Sequence, residues 1–218
     1  GLELIDENTY ISLDAKRGEG KTFFVRQVEE ILKYLRAKRL ETEETPLENL
    51  ESHEYLKNSD IIKTINVKRL YLPIYYNAWM YDDHNDPLMS LILVMIKQCS
   101  GTYNTNVNLE SLSEKVLTIA EALPVSIKKV NPAKIIKSIR GSNVDILEAV
   151  KTEEEIKKCV RNVFDDVIVE RTEKLVIFID ELDRCKPSFA IEMLERIKHY
   201  FDDERIIFVV SLNKEQLI

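Results

Sequence analysis

The chain has 218 residues, 44% of them hydrophobic, enough for one fair-sized core with room for a small appended subdomain. Its formal net charge of -7 argues against a nucleic-acid surface, which needs Lys and Arg clustered on one face. Cys99, Cys159 and Cys185 are too few and scattered for a disulfide framework or zinc site, and His53, His84 and His199 show no ligand spacing. Reduced thiols suit a cytoplasmic protein. The longest mainly apolar run, Pro87 to Ile96, falls far short of the roughly 20 residues of a membrane span. A start at Gly1 and an end soon after a strand-like run suggest a piece of a larger chain, incomplete at its C-terminus.

Thr9 to Ala15 reads as a short strand running into a glycine-bearing loop. A helix follows from about Gly20, where Phe24, Val28, Ile31 and Leu35 recur at helical spacing and predict one buried stripe. From Ala37 to Lys68 the pattern dissolves into charge around Glu41 to Glu51, as in an insertion or solvated loop. Leu70 to Tyr76 reads as a second strand, with Pro73 pointing to an edge position. Asp86-Pro87 starts a helix with an acid at the N-cap and a proline whose missing N–H costs nothing there. The residues after it are apolar almost all round and predict a deeply buried helix.

Between Gly101 and Glu155 short helices are expected over Leu117 to Leu123 and Ala133 to Ile139, interrupted by Pro124 and Pro132. Lys128, Lys129, Lys134, Lys137 and Arg140 form a modest basic run, read as a solvated helix face. Ile156, Val160, Val163, Phe164 and Val167 mark an amphipathic helix. A third strand over Lys174 to Ile179, a helix from Pro187 to Phe201 and a fourth strand over Ile206 to Leu212 complete the pattern. Nearly continuous apolar runs in both late strands fit parallel strands covered on both faces. The alternation predicts an α/β fold, a mainly parallel sheet flanked by helices. A single domain over 1–218 is expected, its core about 1–36, 69–100 and 156–218, with helical or irregular insertions about 37–68 and 101–155.

Ala15 to Thr22 (AKRGEGKT) fits a strand–loop–helix phosphate cradle, with Ala15 where the usual pattern has Gly. Gly18 and Gly20 let the backbone fold so that successive N–H groups face a phosphate, and the helix start adds partial positive charge. Lys21 would reach the β- and γ-oxygens, and the Thr22 hydroxyl would ligate Mg²⁺. Glu19 and Phe23 belong to the same nucleotide-binding stretch. The second element is the apolar strand LVIFIDE, which drives Asp180 to the sheet's C-terminal edge as a metal-holding carboxylate. Glu181 is then placed to activate water, with Lys21 beside it in catalysis.

Each element alone has an ordinary alternative, a glycine turn or a strand ending in charges. Two of them in this chain order, each at a strand's end, make the joint coincidence improbable. The long interval from Lys21 to Asp180, with a further strand inside it, favours the additional-strand class of P-loop proteins. Asn213, just past the fourth strand, suits a γ-phosphate contact or a helix cap equally.

The segment Ile179 to Phe201, IDELDRCKPSFAIEMLERIKHYF, strongly resembles the signature of the KAP family of P-loop NTPases. Tyr76-Asn-Ala-Trp-Met-Tyr81 resembles the family's Asn-x-Trp element, and Phe208 to Leu217 the strand and turn closing its core. The resemblance implies ATP and Mg²⁺ as cofactors and hydrolysis driving a conformational or assembly switch. It further implies self-association or an effector partner, with a bacterial role of the anti-phage kind. Many members carry a transmembrane hairpin between the two elements, but here that interval is polar and no direct membrane insertion is expected. A nucleotide-gated scaffold with little turnover is the alternative, and a structural domain with a decayed site, suggested by Ala15 and Arg17, comes third. Arg184 is expected in a structural ion pair with Asp183 or the adjacent helix, with a trans-acting role second. Trp79 is expected as core or rim.

Overall fold

The computed structural model describes residues 2–5, 7–40, 68–83, 86–101, 109–122, 153–168 and 172–217. The acidic stretch Glu41 to Glu51, the helix expected over Ala133 to Ile139, Pro124, Pro132, the basic run, His53 and His84 lie outside the described residues. The elements are β1 (Thr9–Asp14), α1 (Lys21–Leu40), β2 (Tyr71–Asn77), α2 (Pro87–Gly101), α3 (Leu109–Ala122) and α4 (Glu153–Val167). After them come β3 (Lys174–Asp180), α5 (Pro187–Tyr200), β4 (Ile206–Leu212) and α6 (Lys214–Leu217). Contacts divide the chain into two compact units, one within 1–78, 171–184 and 204–218, the other within 79–170 and 185–203.

The first unit is an α/β layer. Its four strands run in the order β1-β4-β3-β2, and every pairing is parallel. Asp14 stands opposite Leu212 and Asn77 opposite Asp180, so the strands' C-terminal ends share one edge. β3 and β4 are buried throughout, which their Val-, Ile- and Phe-rich runs require. β2 borders only β3 among the described residues, the edge position that Pro73 predicts. In the chain, β2 lies between Lys21 and Asp180. In space it is β4 that separates β1 from β3, which is the additional-strand arrangement.

Of the expected stripe on α1, Val28 packs half-buried against the core, but the fully buried apolar positions lie one residue further on. Val25 and Leu32 are the apolar side chains buried against Tyr71, Tyr75, Val176, Phe178, Ile207 and Val209. Phe24 is 53% exposed. Burying Val25 and Leu32 stabilises the layer by about 1.5–3 kcal/mol each. Periodicity misplaced the face because it counts apolar residues alone, whereas Glu29 and Arg36 are buried here too, through polar partners. Glu29 accepts from Arg26 at 2.8 Å, and Arg36 donates to the Thr172 hydroxyl at 2.9 Å.

The second unit is helical. α2 is buried on nearly all sides, through Leu88, Leu91, Ile92 and Met95 among others, as its composition predicts. α3 packs on α4, and α2 on α5. The short helix expected from Leu117 begins at Leu109 instead. Leu112, Val116, Ile119 and Ala120 form its buried stripe, and the small Ser113, fully buried beside them, disguised the upstream turn as polar. Phe164 meets Phe201 edge-on at 5.0 Å between ring centroids.

Asp86 caps α2, its Oδ1 accepting the Leu88 N–H at 2.8 Å while Oδ2 accepts from Arg196 at 3.0 Å. Burial pushes the Asp86 carboxyl above its usual range, against Arg196 and the Leu88 amide, which pull it down. Buried pairs of this kind are often no net gain over apolar packing, yet losing one partner strands the other. Asp86→Ala is expected to lower stability by about 2–4 kcal/mol, through the lost cap and the stranded guanidinium. Asp86→Asn, which keeps an acceptor for the cap, should lose less, and urea titrations of both variants measure the difference.

Candidate active site

All the sequence-predicted site residues belong to the first unit. β1 delivers the chain to the loop at Ala15, whose N–H reaches the Leu212 carbonyl at 3.4 Å. Gly18 and Gly20 adopt φ of +90° and +86°, the left-handed region that an L side chain enters at a cost. A Cβ at either position would meet nothing within 4 Å, so conformation rather than crowding demands glycine. Glu19 closes the loop on itself, its Oε2 accepting the Lys16 N–H at 2.9 Å. The first bond of α1 is Phe24 N–H to the Gly20 carbonyl at 2.9 Å, and the preceding amides at the helix start have no carbonyl a turn before them. Phe23 is exposed beside the loop.

Lys21 points back over this loop. Its Nζ donates to the Ala15 carbonyl at 2.5 Å and the Lys16 carbonyl at 3.3 Å, with Asp183 at 3.7 Å. The Thr22 hydroxyl donates to Glu181 Oε1 at 3.1 Å, joining two residues 159 positions apart. Asp180 is 1% exposed at the end of β3. Its Oδ1 accepts the Glu181 N–H at 2.9 Å and its Oδ2 the Tyr75 hydroxyl at 3.0 Å. Burial pushes the Tyr75 hydroxyl above its ordinary range, with the Asp180 charge adding and Arg26 opposing, so the phenol stays a donor.

Glu181 has φ of +64°, strained for a residue with a side chain. Its carboxylate forms an ion pair with Arg184. The sequence suggested Asp183 or the adjacent helix as the partner of Arg184. The tight turn Leu182–Arg184, closed by Arg184 N–H to the Glu181 carbonyl at 3.1 Å, brings it to Glu181 instead. Asn213 accepts the Glu215 N–H at 3.1 Å and so caps α6, one of its two expected roles. Trp79 is 55% exposed, a rim position.

Register places one further row of side chains here. Asn77 is paired with Asp180, and Ser211 lies one step beyond the Ile179–Val210 pair, on the other side of Asp180. Asn77 Oδ1 and Ser211 Oγ are buried without a hydrogen-bond partner among the described residues. Two orphaned oxygens flanking a carboxylate, beneath a glycine-built loop carrying a lysine, fit a hydrated divalent cation with a polyphosphate. Sequence reasoning missed Tyr75, and it gave no role to Asn77 of the Asn-x-Trp element or to Ser211 at the end of β4. Their strand positions gave no sign that Asp180 would stand beside them.

A parallel sheet with this strand order and loop defines a P-loop nucleotide-binding domain. The model of the KAP family P-loop domain matches residues 3–218, and the chain belongs to that family. No curated protein matches it. Membership implies nucleotide binding and hydrolysis, typically with Mg²⁺.

The left-handed loop has its own test. Gly20→Ala is expected to cost about 1–2 kcal/mol from backbone strain alone, since its Cβ meets no neighbour. A urea titration of nucleotide-free protein measures it, with Gly18→Ala giving a similar loss.

Proposed function

We propose that the chain binds ATP with Mg²⁺ and hydrolyses it, using turnover to switch the conformation or assembly of attached partners. The observation that carries this reading is the Thr22–Glu181 hydrogen bond, which brings the loop and the end of β3 to one place. Gly18 to Phe23 would hold the phosphates, the loop amides accepting none of their charge but donating to their oxygens. Lys21 would swing from the Ala15 carbonyl to the β- and γ-oxygens. Thr22 and Asp180 would hold Mg²⁺, which when bound neutralises charge on the transferring phosphoryl group. Glu181 would take the proton of the attacking water at a carboxylate oxygen.

The scaffold reading, tight binding with little turnover, draws support from Glu181 itself. Its carboxylate is engaged by Thr22 and Arg184 on a strained backbone, which leaves fewer of its lone pairs for an attacking water. We place the protein in the cytoplasm, and its coupling to an effector in phage defence rests on family likeness alone.

Lys21→Ala is expected to lose Mg²⁺-dependent binding of labelled ATP. Glu181→Gln should keep binding while hydrolysis falls about 10²- to 10⁴-fold. Binding by the wild type with hydrolysis indifferent to Glu181→Gln would reject the catalytic assignment in favour of the scaffold.

A further inference from the structure

Glu29 is a carboxylate only 2% exposed, two turns into α1, and it takes no part in holding phosphate. A buried carboxylate is costly unless paired, and an apolar residue would pack there more cheaply. Its oxygens accept from Arg26 at 2.8 Å and pair with Lys33 at 2.7 Å. Arg26, held in this way, sets its guanidinium carbon 3.2 Å from the centroid of the Tyr75 ring. Tyr75 in turn donates its hydroxyl to Asp180 Oδ2 at 3.0 Å. Glu29, Arg26, Tyr75 and Asp180 thus form a chain of contacts from the helix that follows the phosphate loop to the carboxylate at the end of β3.

We propose that Tyr75, set by Arg26 and Glu29, is a positioning residue that aims the Asp180 carboxylate at the bound cation. The proposal rests on the Mg²⁺–ATP reading above. With Oδ1 taken by the Glu181 N–H and Oδ2 by the Tyr75 hydroxyl, rotation of the carboxylate is blocked. Each oxygen keeps a lone pair for a water of the cation. A cation over the ring face draws electron density from the phenol and strengthens its O–H as a donor. The ring itself belongs to the apolar cluster beneath α1, a place that phenylalanine would fill equally well. The hydroxyl is the part that packing does not explain. Outer groups of this kind orient metal ligands and set their affinity.

Tyr75→Phe removes that hydroxyl and keeps the ring. The measurement is binding of a fluorescent ATP analogue to the 218-residue chain across a Mg²⁺ titration, with a parallel titration in EDTA. Tyr75→Phe is expected to need about tenfold more Mg²⁺ for half-maximal binding, with its EDTA affinity unchanged. Arg26→Gln, which keeps the phenol but removes the cation, should shift the Mg²⁺ requirement about threefold. A wild-type Mg²⁺ requirement in Tyr75→Phe overturns the proposal. So does an equal loss with and without Mg²⁺, which marks a purely structural role. Wild-type protein that shows no Mg²⁺-dependent binding, or that keeps it in Asp180→Asn, refutes the underlying metal reading instead.

Discussion

The position of β4 between β1 and β3 is the constraint on which the site depends. Neighbouring strands lie about 4.8 Å apart, so one intervening strand sets the ends of β1 and β3, which lead into the glycine loop and Asp180, roughly 9–10 Å from each other. That gap suits a phosphate with a hydrated cation beside it. β4 can occupy the middle because its residues are buried throughout and apolar up to Ser211. A polar residue facing either layer would have needed a partner there. Where β4 first offers one, at Ser211, it stands next to Asp180.

Around that gap the charges are paired rather than exposed. Lys21 leans on two loop carbonyls and Asp183, Glu181 on Thr22 and Arg184, and Asp180 on Tyr75 and the Glu181 amide. These contacts also explain how Glu181 keeps a left-handed backbone. Strain of that size persists only where surrounding bonds over-determine the geometry, and Glu181 is held through its amide, carbonyl and carboxylate. The groups that hold the resting site are the same ones the proposed reaction needs. Lys21, Thr22 and Glu181 would each exchange a protein partner for phosphate, cation or water. On the proposed reading, that exchange would link nucleotide state to conformation, and α1, braced through Arg26 and Tyr75, is the element it would move against.

Much of this was legible in the residues themselves. The glycines at 18 and 20 announce a backbone that side chains resist, and an apolar run ending in Asp180-Glu181 announces a strand edge. Local chemistry of this kind is written in consecutive residues, so the loop, β3, β4 and the cap at Asp86 could be read directly. The stripe on α1 could not, because Glu29 and Arg36 are buried by partners that periodicity ignores. Nor could the extent of α3, whose buried Ser113 reads as solvent-facing.

What the sequence determined alone is therefore the glycine-built loop and the acidic strand end, the alternation of strands with helices, and the family. Tertiary structure decided which strand lies between them, that Arg184 turns to Glu181, and that Tyr75 reaches a carboxylate 105 positions away. The division has one physical cause. Backbone conformation and the pattern of apolar residues are written in near neighbours in the chain, whereas ion pairs and side-chain hydrogen bonds join whatever the sheet register sets side by side.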